Sequence, residues 1–298
     1  MPKDNVIVLL STFNGERYLK EQLSSLFLQE NVDVSILVRD DGSTDNTCTI
    51  LDSEKCNLSW YKGENKGPAF SFWELLCKAP ESSYYSFCDQ DDVWDKDKLE
   101  TAISFLSKSN GKPALYFCQT RLVDSELKDI GTLELSPLLT FEEALIYHFV
   151  TGCTMVINDA LRRILIEYTP KYMRMHDLWI YLVAQAIDAD IYFDKKSHIA
   201  YRQHDNNVIG MSNSALFNLK KRIKRILKNE CIRYRLAKEL LNGYEKRIPL
   251  NKLKELKLIT NYKNGIIPWF RLLFTKKFKC GSLSINISSK LAIFLRAL

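Results

Sequence analysis

Within the first 92 residues, three short apolar runs each end abruptly in polar side chains, and helix-like patterns fill the intervals. Residues 6–10 stop at Ser11, Thr12, Phe13 and Asn14, and residues 34–38 stop at Arg39, Asp40, Asp41, Gly42 and Ser43. Residues 84–88 stop at Asp89, Gln90, Asp91 and Asp92. Between these runs, apolar periodicity of the helical kind covers residues 16–28 and 69–77. Further helices start near Asp45 and span residues 96–107, and a short strand fits residues 58–61. Such βαβα alternation builds a mostly parallel sheet with helices on both faces. Ligands of these sheets gather beyond the carboxyl ends of the strands, so the three polar ends should border one crevice.

The second half is less regular. Strands are expected at residues 114–118 and 152–157, with a strand pair over residues 191–202. Helices are expected over residues 141–148, 158–167 and 176–187. At 298 residues with 46% hydrophobic side chains, the chain suits one large α/β domain plus an appendage. Charge marks that appendage. Residues 216–298 hold 21 Lys and Arg against four acids, formally +17, leaving −11 on the remainder of a chain whose net charge is +6. The expected division is therefore a catalytic domain over residues 1–214 and a basic, amphipathic helical region over residues 215–298.

Near the start of that region, Leu219, Ile223, Ile226 and Leu227 share one helical stripe flanked by Lys221, Arg222, Lys224, Arg225 and Lys228. Farther on, IIPWFRLLFTKKFK and LAIFLRAL mix aromatic, aliphatic and cationic residues in segments too short to cross a bilayer. They suit its interface, where anionic headgroups attract each Lys or Arg by about 1 kcal/mol. Packing on the catalytic domain or on a second subunit is the competing reading. The N-terminus lacks a signal-peptide pattern, and eight cysteines without CxxC spacing read as reduced thiols of a cytosolic protein.

Three carboxylates within four residues, Asp89, Asp91 and Asp92, raise one another's pKa unless a cation offsets them. Carboxylate oxygens are preferred ligands of Mg²⁺ and Mn²⁺. Asn14 and Gly15 precede a helix whose amide end can face a diphosphate, although a plain helix cap reads the same way. Asp40 and Asp41 can accept hydrogen bonds from a base imide or ribose hydroxyls; the alternative is an ordinary turn, with Asp45 capping the next helix. Asp177 opens a strongly apolar helix, where a carboxylate serves either as a general base or as a cap.

In order along the chain, STFNGERYLKEQLSSL, VRDDGSTDNT, NKGPAFSF, FCDQDDVW, TGCTMVIN, MHDLW and YRQHDNNVIG resemble the family-two inverting glycosyltransferases of GT-A fold. The likeness is narrower still to bacterial rhamnosyltransferase-like enzymes of surface polysaccharide synthesis, and it covers residues 5–210. It implies nucleotide-sugar contacts from Ser11, Thr12, Asn14, Glu16, Asp40, Asp41, Asn65 and Gly67. To these it adds Asp89, Gln90, Asp92, Gly152 and His176. It implies a Mn²⁺ or Mg²⁺ site at Asp91 and Asp89 completed by His204, with Asn206 and Asn207 helping to close it, and Asp177 as the general base. Trp94 and Trp179 could stack on a sugar, but burial is the commoner fate of such rings.

The resemblance thus implies an inverting, metal-dependent transferase that moves a deoxyhexose or hexose from a nucleoside diphosphate to a hydroxyl of a lipid-linked saccharide, in cell-surface or capsular polysaccharide synthesis. dTDP-rhamnose leads as donor, with UDP-galactose and UDP-glucose open. The expected partners are that donor, that acceptor and the cytoplasmic face of the membrane, with a homo-oligomer open and nucleic acid excluded. Two other readings compete. DQDDV also fits the nucleophile motif of haloacid-dehalogenase-like phosphatases, but those enzymes place it on the first strand. A membrane-binding module without catalysis explains the tail and leaves the acidic half idle. A nucleotidyltransferase would want a Gly-rich basic loop where this chain has Ser-Thr-Phe-Asn-Gly-Glu.

Overall fold

The computed structural model describes residues 3–54, 57–133, 140–147, 149–204 and 215–298. Strands β1 (Asp4–Thr12), β2 (Val32–Asp40), β3 (Leu58–Lys62) and β4 (Tyr84–Cys88) lie parallel in the order β3-β2-β1-β4. Helices α1 (Leu19–Phe27), α2 (Thr47–Ser53) and α3 (Gly67–Lys78) connect them. β1 and β2 run past their apolar stretches because their polar ends still pair: Thr12 lies opposite Asp40, and Leu10 opposite Cys88. That register brings the three polar strand ends to one edge of the sheet.

After β5 (Val93–Trp94) and α4 (Lys98–Leu106) come β6 (Ala114–Val123) and its antiparallel neighbour β7 (Asp129–Leu133). A short α5 (Phe141–Ala144), β8 (Val156–Asn158), α6 (Asp159–Leu165), α7 (His176–Ala186) and β9 (Asp190–Arg202) complete the catalytic half. The sheet continues β4-β8-β6-β9-β5, with β8 antiparallel to β4 and β6, and β9 parallel to β6. Two expectations need correction. Residues 191–202 form one strand rather than a pair, because β9 follows β6 throughout and absorbs register shifts near Gln119 that bend it. Gly152–Thr154 is a 3-10 turn rather than strand, closed by the Thr154 N–H and hydroxyl donating to the Thr151 carbonyl. The expected charge break near residues 211–216 lies outside the described residues up to residue 214, as do Asn206, Asn207 and His148.

Side-chain alternation along β1 divides the interior into two layers. Val6, Val8 and Leu10 pack with α1, α2 and α4, whereas Ile7 and Leu9 face the layer containing α3, α6 and α7. The second layer does not stop at the catalytic half. It runs on into α9 (Ile232–Tyr244) and α10 (Leu250–Asn261) through Leu236, Leu240, Tyr244, Leu256, Ile259 and Tyr262. Polar contacts accompany it: the Tyr244 hydroxyl donates to the Leu165 carbonyl at 2.8 Å, and the Tyr168 hydroxyl to Glu239 at 2.7 Å. Helices α8 (Ala215–Leu227), α11 (Ile266–Phe274) and α12 (Leu283–Phe294) finish the region, with α12 packed against α8 and α11. The basic region therefore folds onto the catalytic half.

Candidate active site

Beyond the carboxyl ends of β1, β2 and β4, three loops are tied into one wall. Gln90 lies in the acidic turn after β4, and its Oε1 accepts the Phe13 N–H at 2.8 Å while its Nε2 donates to the Phe13 carbonyl at 3.0 Å. Gly15 permits this contact, since a Cβ there would lie 2.4 Å from the Gln90 Oε1. Asn14, at φ 49°, accepts the Thr44 N–H on Oδ1 at 2.9 Å. Glu16 accepts the Asn46 N–H at 3.0 Å, so two of the residues expected to touch nucleotide are tied to the loop after β2.

Asp40 and Asp41 are both buried, and their oxygens order that loop from within. Asp40 accepts the Ser43 N–H at 2.9 Å and the Thr12 hydroxyl at 3.2 Å. Asp41 pairs with the buried Arg39 and accepts the N–H groups of Lys66 at 2.8 Å and Gly67 at 2.9 Å. Gly67 takes φ 75°, in the left-handed region that glycine tolerates, and Asn65 accepts its N–H at 3.2 Å. Ser11 shares a hydrogen bond with Ser71 at 2.5 Å. Asp45 accepts the Thr47 N–H at 3.0 Å just ahead of α2, but the N-cap residue is Asn46, with no side-chain capping bond, so the expected capping by Asp45 gives way to a local turn contact.

The acidic turn divides its carboxylates between two environments. Asp91 and His204 meet at 2.8 Å between Oδ2 and Nε2, with side chains 16% and 14% exposed. Asp92 is wholly buried, and its Oδ1 accepts the Arg202 N–H at 3.1 Å. Asp89 stands between the two environments. Burial first, then the charges of Asp91 and Asp177, push its pKa up to about 7.

Two donor sets could hold a cation. Ligand atoms of Asp89, Asp92 and Cys153 lie within 4.8 Å of one another. Burial and the neighbouring carboxylates push the Cys153 thiol well above its ordinary value, which favours the protonated sulfur and makes it a poor ligand for a hard ion. Asp91 with His204, both partly exposed, instead offers a carboxylate and an imidazole 2.8 Å apart. That set fits Mn²⁺ or Mg²⁺ better.

Asp177 and His176 open α7. Asp177 accepts the N–H groups of Leu178, at 2.5 Å, and Gly152, contacts that favour its anion, yet burial outweighs them and pushes its pKa up to about 6. The His176 ring packs against both Phe72 and Phe87, at centroid distances of 4.1 and 5.3 Å. Neither of its ring nitrogens has a hydrogen-bond partner among the described residues, and burial pushes its pKa down to about 3, so the neutral ring is favoured. Gly152 gives both residues their room. A Cβ there would lie 2.5 Å from the His176 Nε2 and 3.6 Å from the Asp177 Cβ.

Residues 7–165 match the model of glycosyl transferase family 2. The chain belongs to that family. Among relatives, the family-2 chain is 31% identical over 251 residues to dTDP-rhamnosyl transferase RfbG of Shigella flexneri, covering 77% of this chain and 82% of that protein. It is 29% identical over 163 residues to the putative teichuronic acid biosynthesis glycosyltransferase TuaG of Bacillus subtilis, covering 53% and 63%. Among solved structures, TarS 1-349 of S. aureus in complex with UDP-GlcNAc superposes with a TM-score of 0.57 at 18% identity, over 98% of this chain and 89% of that one. The mannosyltransferase PcManGT of Pyrobaculum calidifontis, in complex with GDP-Man and Mn²⁺, gives 0.53 at 14% identity, over 100% and 86%. At these identities the likeness carries the fold alone, which is GT-A. The protein is a rhamnosyltransferase-like family-2 glycosyltransferase, and the phosphatase and non-catalytic readings of DQDDV and the tail fall away.

Sequence reasoning passed over two buried arginines that assemble this family-2 site. Arg202 donates its Nε to the Asp91 carbonyl at 2.7 Å and Nη1 to the Ser125 carbonyl at 2.5 Å. It also pairs with Glu21 and lies over the Tyr18 ring at 4.4 Å. Arg39 does the same for the loop after β2, reaching Asp41, Ser71 and the Glu64 carbonyl. The signal was available: a charged residue at the inner end of an apolar strand must find partners, because an unpaired buried charge costs several kcal/mol.

Proposed function

We propose that this protein transfers a deoxyhexose, with dTDP-rhamnose the leading donor, to a hydroxyl of a lipid-linked saccharide in surface polysaccharide synthesis, with inversion at the anomeric carbon. The observation that carries this reading is that Gly152 and Cys153 join Asp177 to the acidic turn: the Gly152 N–H donates to Asp177, and the Cys153 sulfur lies within 4.8 Å of carboxylate oxygens of Asp89 and Asp92. The name of the RfbG relative supports the donor, and that of TuaG supports a role in polymer assembly.

In this mechanism the loops after β1 and β2 hold the nucleotide. Ser11, Thr12, Asn14 and Glu16 form one side, and Asp40, Asp41, Asn65 and Gly67 form the other. Asp177 takes the proton of the acceptor hydroxyl as that oxygen attacks the face of the sugar opposite the diphosphate. A general base so placed contributes about 10²- to 10⁴-fold. Asp91 and His204, with Asp89 beside them, would hold Mn²⁺ or Mg²⁺, which supplies positive charge to the departing diphosphate. Gln90 and Asp92 fix the turn on which those ligands stand. Gly152 and His176 shape the wall at the sugar and set the position of Asp177.

A thermal-shift series with nucleoside diphosphate sugars and Mn²⁺ tests this reading. dTDP-rhamnose should raise Tm more than UDP-galactose or UDP-glucose, and Asp91→Ala or His204→Ala should remove the metal-dependent part. If no nucleoside diphosphate sugar shifts Tm, the donor assignment fails; an unchanged metal response in both variants defeats the ligand assignment.

A further inference from the structure

Helices α11 and α12 present an apolar face that no other described residue covers. On α11, Ile267 and Phe274 are 69% and 71% exposed, and on α12, Leu283 and Ile287 are 74% and 57% exposed. The opposite sides are committed to the fold, since Leu272 and Ile293 are buried. The two helices pack together, so their outer residues form one platform rather than scattered contacts. Aromatic rings run along it, with Phe270 stacked on Phe274 at 5.7 Å and Trp269 against Phe270 at 4.8 Å.

Charge decides what such a platform can meet. From residue 256 to residue 298 there is no Asp or Glu, and there are eight Lys and Arg. Arg271, Lys276, Lys279 and Arg296 are exposed on or beside the platform. A second copy of this chain docked by its own α11–α12 face would set cation against cation, because a two-fold contact repeats the same patch on both sides. Anionic headgroups supply the missing countercharge, and aromatic and aliphatic side chains suit the boundary beneath them. Neither helix crosses: α11 has 9 residues and α12 has 12, and no described helix is long and apolar enough to span. The apolar stripe of α8 is partly used up, since Ile226 is buried and α8 packs on α12.

We propose that the α11–α12 platform lies in the interfacial layer of a bilayer rich in anionic lipid, with Ile267, Phe274, Leu283 and Ile287 at the acyl boundary and the cations at the headgroups. The inference deepens the lipid-linked acceptor of the proposed function and rests on that reading for its purpose.

The test is co-sedimentation of the full chain with phosphatidylcholine vesicles and with mixed phosphatidylcholine–phosphatidylglycerol vesicles, at low and high salt. Two variants accompany it, Ile267→Ser/Phe274→Ser/Ile287→Ser and Lys276→Glu/Lys279→Glu, all at exposed positions. Binding should require phosphatidylglycerol and weaken with salt, and each variant should lower partition on the order of tenfold or more. The dTDP-induced Tm shift with Mn²⁺ should persist in both variants, which separates loss of docking from loss of the donor site. Absence of binding to the mixed vesicles, or binding untouched by both variants, overturns the proposal. A concentration-dependent dimer in sedimentation velocity, dissolved by the serine variant and accompanied by no vesicle binding, overturns it in favour of a contact between copies.

Discussion

Replacing Asp177 by Asn should make the protein more stable and nearly inactive, and both effects follow from one side chain. Burial raises the folded-state pKa of Asp177 from 3.8 to about 6, a shift of about two units. At about 1.4 kcal/mol per unit, ionising this carboxylate in the folded protein costs up to about 3 kcal/mol. The sign is fixed by linkage. A carboxylate that resists ionisation when folded binds its proton more tightly than the unfolded chain does, so wild type loses stability as pH rises from about 4 to about 6. Asn cannot ionise, and its side-chain oxygen can still accept the Leu178 N–H. The variant should therefore exceed wild type in Tm by several degrees at pH 7.5, at about 2–4 °C per kcal/mol, and the gap should close near pH 4. Turnover should fall by about 10²- to 10⁴-fold while the dTDP-induced Tm shift with Mn²⁺ is kept. In wild type, kcat/KM should rise with pH through a value near 6. Metal-free thermal melts across pH, paired with a transfer assay, measure all of this. Near-wild-type turnover removes Asp177 from the chemistry; an unchanged Tm at every pH refutes the burial argument.

Gly152→Ala should cost about 1–3 kcal/mol in a chemical-denaturation midpoint, because its new methyl meets the His176 ring in a packed wall. Turnover should fall more than nucleotide affinity, since the wall carrying Asp177 must give. Arg202→Lys keeps the charge but loses the fork that reaches Asp91, Ser125 and Glu21 together. Mn²⁺ affinity, read by calorimetry, should drop by at least about tenfold, with a smaller change in metal-free Tm. His176→Phe should remove an acid-sensitive element. The folded protein holds the ring neutral, so wild type should lose stability relative to the variant as pH falls below 6.5, by up to about 1.4 kcal/mol per unit; parallel Tm profiles would contradict this.

The parallel half was legible because strand ends and chemistry coincide in it. The unbroken apolar run of residues 6–10 and the abrupt carboxylates after residue 88 defined both the sheet and its working edge. Reading was poorer where tertiary contacts decide the outcome. Residues 152–154 look like strand by composition but turn because Gly152 must yield to His176 and Asp177, which are remote in sequence. β9 reads as two strands because its bulges interrupt the alternation. The tail was legible as basic and amphipathic, but composition could not assign its surfaces. Which apolar residues face the core and which face outward depends on α9 and α10 covering α7, a long-range contact with no local signature. The roles of Arg39 and Arg202 have no local signature for a related reason: each holds an acidic loop in shape through groups remote in sequence, such as the Glu64 carbonyl for Arg39 and the Asp91 carbonyl for Arg202.

The hydrophobic layer that continues from α7 into α9 and α10 has a mechanical consequence. A protein tethered to a surface by a loose peptide could present its crevice at any angle, and productive encounters would be a matter of chance. Here the tail is a keel built into the hull. Whatever α11 and α12 grip, the tilt of the Asp177 wall toward that surface is set by side-chain packing.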